Sequence, residues 1–270
     1  MHQVLREKIS VIVPAYNESA LIAHNVREIQ AAFSAFAPDC EIILIDDGSI
    51  DETWRRAAEA DRSGGKSIRI LRYERNMGKG YALACGTRHA NGQYIVFLDA
   101  DLDLHPDQIP RFFDQLLRDD ADAVIGSKWH PQSHVTYPGW RRLLSRGYYA
   151  LTHLLFGLPL RDTQTGLKLF RAAPLKAVVP RLLAKRFAFD IELLTVMHRS
   201  GYRIVEAPVD VRFRRALPRL NLRDAWYVLV DTMAIFYRVY LRRYYDRIGS
   251  ASPQVALDVT EIGPGAIAEL

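Results

Sequence analysis

Short apolar runs that alternate with helical segments are the feature of this sequence that most constrains its fold. Five such runs occupy the first half of the chain: Ile9–Ala15, Glu41–Ile45, Ser67–Tyr73, Tyr94–Leu98 and Ala121–Gly126. Each has the length of a strand and lacks the polar alternation of a strand with one wet face. Strands buried on both faces and joined by helices form mostly parallel sheets. We therefore predict an α/β protein with a doubly wound, mostly parallel sheet and helices on both faces.

The second half is less regular but is still predicted to belong to the same domain. Its patterns indicate helices over Tyr137–Phe156, Phe187–Ser200 and Leu222–Tyr245, and a strand over Arg203–Phe213. The last residues, 249–270, are small, Gly/Pro-bearing and poorly periodic, which favours a mobile tail. We therefore predict one domain over residues 1–248, followed by this tail.

Charge is divided unevenly along the chain. Residues 1–135 carry 15 Lys/Arg and 20 Asp/Glu, whereas residues 136–247 carry 21 and 8. Such a split indicates that the second half meets anions, with nucleic acid, anionic lipid and phosphorylated substrates all open, as is a merely solvated basic surface. The longest apolar stretch, Trp226–Leu241, is shorter than the roughly 20 residues that a membrane-spanning helix needs. Two cysteines are too few for a disulfide framework and favour a reducing compartment.

Three carboxylates at alternate positions follow the fourth apolar run. Asp99, Asp101 and Asp103 would repel one another there unless a cation neutralised them, and oxygen-only ligands favour Mg²⁺ or Mn²⁺. The alternative is a set of helix-capping acids before Pro106, which would explain Asp103 but not all three.

Polar residues also follow the other strands, where ligands of parallel sheets bind. Asp46 and Asp47 end the second run, and a carboxylate there can accept hydrogen bonds from a base or a ribose, although turn chemistry would also explain it. Glycines flank Lys79 at the start of the third helix and suit a phosphate. No P-loop occurs, and no G-x-G-x-x-G follows the first strand, which argues against P-loop NTPases and dinucleotide oxidoreductases.

Taken in order, these segments resemble family 2 glycosyltransferases of the GT-A fold. The segments are Ile9–Glu18, Asp46–Asp51, Asn76–Gly80 and Asp99–Asp103. Arg161–Phe170 and Phe187–Leu194 are similar to polyprenyl-phosphate hexose synthases, in particular the dolichyl-phosphate glucose branch. The stretch Asp99–Pro106 is more similar to the dolichyl-phosphate mannose branch, so the two signals disagree on the sugar. The resemblance implies a nucleotide-sugar half over about residues 1–126 and an acceptor and membrane-facing half over about 127–248.

The resemblance also implies a role for individual residues. Contacts to the nucleotide sugar would come from Pro14, Tyr16, Glu18, Asp46, Asp47, Lys79, Asp99, Ala100 and Asp101. The metal, Mg²⁺ or Mn²⁺, would be held by Asp99, Asp101 and Asp103, the last standing where mannose synthases often have Gln. Contacts to the acceptor phosphate would come from Lys128, Arg141, Arg142, Ser145, Arg161 and Lys168. The catalytic residues would be Asp101, Asp190 and Arg141.

The function that the resemblance implies is the inverting, metal-dependent transfer of glucose or mannose from UDP-glucose or GDP-mannose to a polyprenyl phosphate. The phosphate would be its own nucleophile, with Asp190 orienting a sugar hydroxyl or the acceptor. The enzyme would be peripheral on the cytoplasmic face of a membrane and would not bind nucleic acid. One alternative is a soluble hydroxyl acceptor with Asp190 as base. Another is a nucleotide- or nucleic-acid-binding module, which leaves the carboxylate cluster unexplained.

Overall fold

Eight strands form a single sheet in the computed structural model, which describes residues 7–62, 68–135, 139–212, 222–247 and 259–262. The strands are β1 (Ile9–Ala15), β2 (Glu41–Asp47), β3 (Ile68–Tyr73), β4 (Tyr94–Phe97), β5 (Ala123–Ser127), β6 (Lys168–Arg171), β7 (Ile204–Pro208) and β8 (Thr260–Ile262). Their order is β7-β5-β6-β4-β1-β2-β3-β8. β6 and β8 pair antiparallel with their neighbours and every other pairing is parallel. The predicted α/β class with a mostly parallel sheet is confirmed.

Helices cover both faces of this sheet. They are α1 (Ile22–Phe36), α2 (Thr53–Arg62), α3 (Lys79–His89), α4 (Ile109–Arg118), α5 (Gly139–Phe156), α6 (Ala172–Val178), α7 (Phe189–Arg199), α8 (Leu222–Phe236) and α9 (Tyr244–Arg247). Short 3₁₀ turns over Pro106–Gln108 and Val179–Arg181 precede α4 and follow α6, and a π-helical turn over Tyr237–Leu241 follows α8. None of the helices described is long and apolar enough to cross a bilayer.

The sheet separates two apolar cores. Alternate residues of β1 divide between them, with Ile12 on the side of α3, α7 and α8, and Val11 and Val13 on the side of α1, α2 and α4. All three side chains are fully buried, which explains why the strand shows no polar alternation. A Cβ on Gly86 of α3 would collide with Ile12, so a glycine at this position lets the helix approach the strand closely.

Register places the ends of the parallel strands together. Ala15 at the end of β1 lies beside Asp46 in β2, and Asp47 lies beside Tyr73 in β3. β4 runs parallel to β1 and ends just before Asp99. The polar residues that follow β1, β2 and β4 therefore share one edge of the sheet, where ligands of open parallel sheets bind.

Two predictions about the second half need correction. The α-helix expected over Leu222–Tyr245 ends at Phe236, a π-helical turn follows it over Tyr237–Leu241, and Arg243 has a positive φ of 46°. The strand expected over Arg203–Phe213 ends at Pro208, which cannot donate to a ladder, and Phe213 lies outside the described residues. Residues 260–262, within the expected mobile tail, form β8 against the edge of β3. The helix α6 was not predicted.

Candidate active site

Hydrogen bonds join the loop after β1 to the loop after β2. The backbone N–H of Asn17 donates to Ser49 Oγ at 3.0 Å, and that of Ile50 donates to Asn17 Oδ1 at 3.1 Å. The N–H of Glu18 donates to Thr53 Oγ1 at 2.7 Å. Of the predicted nucleotide contacts at the end of β1 and in the loop after it, Pro14 is half-buried, Glu18 is buried and Tyr16 is exposed. The Tyr16 ring thus stands at the surface on a loop that these hydrogen bonds fix.

Asp46 presents a buried oxygen that the protein leaves unsatisfied. Arg72 Nε donates to its Oδ2 at 3.1 Å, while Oδ1 is buried with no hydrogen-bond partner among the described residues. Burial raises the pKa of this carboxyl, against the opposing effects of Ser49 and Arg72. An orphaned acceptor is costly in a folded protein, and an N–H or O–H of a ligand would relieve it.

Asp47, the adjacent carboxylate, is fully occupied by the protein. Its oxygens accept from Tyr73 Oη at 2.7 Å, Asn76 Nδ2 at 3.1 Å and the N–H groups of Met77 and Gly78 at 2.8 and 3.0 Å. Burial nevertheless raises the pKa of this carboxyl. Asp47 thus fixes the loop that precedes α3, and its predicted contact with the nucleotide sugar stays a prediction.

The segment after β4 carries the carboxylate cluster in a constrained turn. Asn25 Nδ2 of α1 donates to the carbonyl of Ala100 at 2.7 Å, and Leu102 has a positive φ of 53°. The N–H of Asp103 donates to Asp101 Oδ1 at 3.2 Å. Burial, followed by the charges of Asp99 and Asp103, raises the pKa of Asp101 to about 6. The mutual repulsion that the sequence predicts thus adds to the larger effect of burial.

Asp99 contacts a lysine from α3 and a glycine from the loop before β6. Lys79 Nζ lies 2.6 Å from Asp99 Oδ1. Although burial opposes the change, Lys79, followed by Lys168 and Lys128, lowers the pKa of Asp99. On its other side, a Cβ added to Gly166 would collide with the Asp99 carboxylate. Asp99 is therefore held between an ammonium group and a backbone that only glycine provides.

A buried ion pair joins the first residue of β6 to α7. Lys168 Nζ donates to Asp190 Oδ1 of α7 at 2.8 Å and also to the carbonyl of Thr165, and the side chains of Lys168 and Asp190 are only 1% and 5% exposed. The ammonium group of Lys168 is thus enclosed and paired, and its predicted contact with an acceptor phosphate stays a prediction. Its observed partner is the carboxylate that was predicted to be catalytic.

Two further carboxylates shape the loop before β6. Asp162 accepts from the N–H of Lys128 at 3.1 Å and lies 3.6 Å from its Nζ. Glu206 of β7 accepts from the N–H groups of Arg161 and Asp162 at 2.7 and 3.0 Å. Lys128 is half-buried and Arg161 is exposed, so both can meet a ligand. Arg141, Arg142 and Ser145 belong to α5, but their side chains lie outside the described part of the chain, so their roles stay predictions.

A buried carboxylate on α7 fixes the segment that leads into this helix. Glu192 Oε2 accepts from the N–H groups of Leu183 and Ala184 at 2.9 and 2.7 Å, and its Oε1 accepts from Arg238 Nη2 at 2.9 Å and from Tyr245 Oη. The carbonyl of Lys185, the residue after Ala184, accepts a hydrogen bond from the N–H of Tyr81 near the start of α3. Glu192 thus links the end of α8 and α9 to the helix that carries Lys79.

The predicted metal site is supported by the type of ligand atom present, but not by a complete set of ligands. Asp99, Asp101 and Asp103 supply oxygen ligands alone, which suits Mg²⁺ or Mn²⁺. However, among the residues that the structure describes, no three acidic, histidine or cysteine side chains converge as a complete metal site. The carboxylates therefore fit a cation whose remaining ligands come from a bound diphosphate or from water.

Sequence reasoning missed the residues that hold the site together: Asn25, Asp162, Gly166, Glu192 and Glu206. The Gly in Thr165-Gly166-Leu167 was visible as part of a motif, but nothing in the sequence shows that it faces Asp99. In the sequence, Glu192 and Glu206 resemble ordinary polar surface residues, and only the structure shows that Glu192 is buried.

Three features share the edge of the sheet at the ends of the parallel strands: a partly unsatisfied carboxylate at the end of β2, acidic oxygens after β4 and a lysine at the start of α3. The fold is that of GT-A enzymes. Crystal structures of glucosyl-3-phosphoglycerate synthase from Mycobacterium tuberculosis share this fold. One, a complex with Mn²⁺, UDP and phosphoglyceric acid, has a TM-score of 0.65 and 24% identity, covering 86% of this chain and 78% of that one.

Residues 10–179 match the model of the glycosyl transferase family 2, and the chain belongs to this family. A glycosyltransferase named AglD from Haloferax volcanii is 32% identical over 209 residues, which are 75% of this chain and 33% of that protein. A dolichyl-phosphate beta-glucosyltransferase from Drosophila melanogaster is 35% identical over 201 residues, 69% of this chain and 61% of that protein. The chain thus spans between a third and about two thirds of the length of these relatives. The expected family and GT-A fold are confirmed.

Proposed function

We propose that this chain transfers glucose, with inversion, from UDP-glucose to the phosphate of a polyprenyl lipid of the dolichyl type. The names of relatives such as the Drosophila enzyme support glucose over mannose, and the predicted similarity of Arg161–Phe170 to the glucose branch agrees with them. The observation that carries the proposal is the buried ion pair between Lys168 and Asp190. It bears directly on which acceptor the site suits.

A hydroxyl acceptor needs a base to take its proton, and Asp190 is the carboxylate that would serve. Its Oδ1 is committed to Lys168 and its side chain is almost fully enclosed. A phosphate monoester has a second pKa near ~6, judged from phosphorylated side chains, so at neutral pH it is largely dianionic and needs no base. The ion pair therefore favours an anionic acceptor over a soluble hydroxyl acceptor.

The reaction follows from these charges. An oxygen of the acceptor phosphate attacks the anomeric carbon of the sugar, and the bond from that carbon to the nucleoside diphosphate breaks. The electron pair leaves with the diphosphate, and no proton has to be removed from the nucleophile. Lys128 and Arg161 are placed to bind phosphate oxygens, since both are accessible beside the loop before β6. Attack from the face opposite the leaving group inverts the anomeric centre.

A divalent cation fits the carboxylates after β4, with Asp99 and Asp101 as the residues that would hold it and Asp103 as a further candidate. When bound, it would supply positive charge for the leaving diphosphate. Solved structures of the same fold in complex with Mn²⁺ or Mg²⁺ and UDP support this assignment. Lys79 stands beside Asp99 and contributes a fixed positive charge of its own.

Association with the cytoplasmic face of a membrane is part of the proposal. A polyprenyl tail stays in the bilayer, so the enzyme has to work at its surface. The excess of 21 Lys/Arg over 8 Asp/Glu in residues 136–247 suits anionic lipid. A nucleic-acid ligand is disfavoured, because its phosphates would be repelled by the carboxylates of Asp99, Asp101 and Asp103.

The test is a transfer assay with purified protein, Mn²⁺, polyprenyl phosphate and either labelled UDP-glucose or labelled GDP-mannose. We expect label from UDP-glucose in the organic phase, and Asp101→Asn to reduce the rate at least ~100-fold, the scale of one electrostatic stabiliser. Asp114→Asn, the same charge change on exposed α4, is the matched control. Label that stays in the aqueous phase as a glucoside would contradict the proposal.

A second arm tests the role of Asp190. With a phosphate acceptor, Asp190→Asn lowers turnover by disturbing Lys168, and adding formate or azide does not restore it. A rate that rises steeply with the concentration of such external bases would identify Asp190 as the base and favour the hydroxyl acceptor.

A further inference from the structure

A pocket of about 230 Å³ lies between the segment that precedes α7 and the outer side of α8. It is lined chiefly by Leu183, Lys185, Arg186, Tyr227, Asp231 and Arg238. Three cations and one carboxylate face it, with Glu192 behind Arg238, so positive charge is in excess. None of the transfer chemistry described above uses these residues.

The cations of the pocket are held in place by neighbouring groups. The guanidinium of Arg186 lies 5.4 Å from the ring centroid of Tyr227, and the ammonium of Lys185 lies 5.8 Å from that of Tyr81. Arg238 Nη2 donates to Glu192 at 2.9 Å, which fixes its side chain. Ordered cations lose less conformational freedom when an anion binds than long side chains that move freely.

An exposed apolar stripe runs along α8 beside this pocket. Trp226, Val230, Met233 and Tyr237 follow one another at helical spacing and are 63%, 46%, 45% and 49% exposed. Three pocket residues in α8 and in the π-helical turn after it each follow a stripe residue directly in sequence: Tyr227, Asp231 and Arg238. The pocket therefore lies directly alongside the stripe on the helix surface.

The loop on the other side of the pocket repeats this composition. Leu183 and Phe187 are 40% and 42% exposed and flank Lys185 and Arg186 in sequence. Aromatic and aliphatic side chains next to cations are typical of surfaces that rest in the interfacial layer of a bilayer, where the apolar groups enter the acyl region and the cations meet phosphates.

We propose that this pocket binds the phosphate headgroup of an anionic bilayer lipid, with the stripe inserted beside it, as a site separate from that of the acceptor. The inference rests on the proposed function only in that it places the enzyme at a membrane. Lys185, Arg186 and the outer edge of Arg238 would contact the phosphate oxygens, and the guanidinium groups suit them because they present several donors in one plane. Asp231 limits the net charge of the pocket and so favours one headgroup over a polyanion.

The test measures vesicle binding without catalysis, so that it is independent of the proposed transfer reaction. The wild-type protein is compared with Lys185→Gln/Arg186→Gln on three vesicles: phosphatidylcholine alone, phosphatidylcholine with about 20% phosphatidylserine, and phosphatidylcholine with polyprenyl phosphate. Arg27→Gln/Arg118→Gln is the control, because it removes the same charge from exposed positions on α1 and α4, on the opposite face of the sheet. Equal melting temperatures establish that all variants are folded.

We expect the pocket variant to bind the phosphatidylserine vesicles about 30-fold more weakly, about fivefold for each cation near the surface, and the control to stay within about twofold. Brominated lipid should quench Trp226 fluorescence in the wild type, and Trp226→Phe should remove that quenching. Equal losses in both double variants would mean that only net charge matters, and a loss confined to vesicles with polyprenyl phosphate would assign the pocket to the acceptor. Either result would overturn the proposal.

Discussion

Replacing Gly166 by alanine is the sharpest single test of the site, because one added carbon acts on one carboxylate. The Cβ of Gly166→Ala would overlap the Asp99 carboxylate, and even the more distant oxygen, Oδ1, would lie only 3.0 Å away. The backbone of Gly166 cannot easily move away, because Lys168, two residues later, is fixed in the buried ion pair with Asp190. The carboxylate therefore has to move, by on the order of 1 Å, a displacement that typically costs an active site about 100-fold.

The displacement also separates Asp99 from Lys79, whose atoms now lie 2.6 Å apart. We expect the rate of transfer to fall about 100-fold, with little change in the Michaelis constant for the lipid acceptor. Initial rates of label entering the organic phase measure this, with thermal melting as the check on folding. The control is Gly147→Ala, since a Cβ at this helical glycine would meet nothing within 4 Å. It should keep full activity and gain stability of up to ~1 kcal/mol. Gly166→Ala with activity within about threefold of wild type would refute the reasoning.

Three other perturbations follow from the same contacts. Glu192→Gln leaves Arg238 without its buried counter-ion and should lower the free energy of unfolding by about 3 kcal/mol. The control, Asp246→Asn, breaks an exposed ion pair and should lower it by less than ~1 kcal/mol. Equal losses of unfolding free energy in urea would contradict the burial of the Glu192–Arg238 pair. Burial raises the pKa of Asp46, so the folded state holds its proton more tightly than the unfolded chain, and stability is lost as the pH rises from the unfolded value towards the folded one. Asp46→Asn should therefore gain stability relative to wild type as the pH rises from about 4 towards neutrality, and a constant difference in unfolding free energy would refute this. Removing divalent cations with EDTA should abolish transfer and added Mn²⁺ should restore it, while full activity of the chelated protein would exclude a metal role.

The first five strands could be predicted to within two or three residues, because their evidence is local. Each is an uninterrupted apolar run followed by a turn, and burial on both faces of the sheet preserves that pattern. The end of α8 was not predictable in this way. Its helical pattern continues to Tyr245, but Arg238 and Tyr245 both contact Glu192, and the chain has to turn at Arg243 for the two side chains to meet on one carboxylate.

The positions of the site residues were predictable, but not their accessibility. Asp46 and Asp47 are adjacent and identical in type, but successive side chains of a strand point to opposite faces. Asp46 therefore keeps an oxygen with no partner among the described residues, whereas Asp47 accepts hydrogen bonds from the loop before α3. Lys168 is the clearer case. A lysine in a polar loop predicts a solvent-accessible cation, and only the fold shows that a buried carboxylate 22 residues later encloses it.

The short strand β8 covers a sheet edge that would otherwise be open to pairing with another chain. Without it, β3 would be the last strand of the sheet and would present unpaired N–H and C=O groups along an apolar strand, which is a template for self-association. β8 occupies that edge from Ile70 to Arg72, and its Glu261 forms an ion pair with Arg69 at 2.9 Å, so the new edge is short and charged. Because Arg72 also donates to Asp46, the same three-residue strand pairs with the residue that holds the carboxylate at the end of β2.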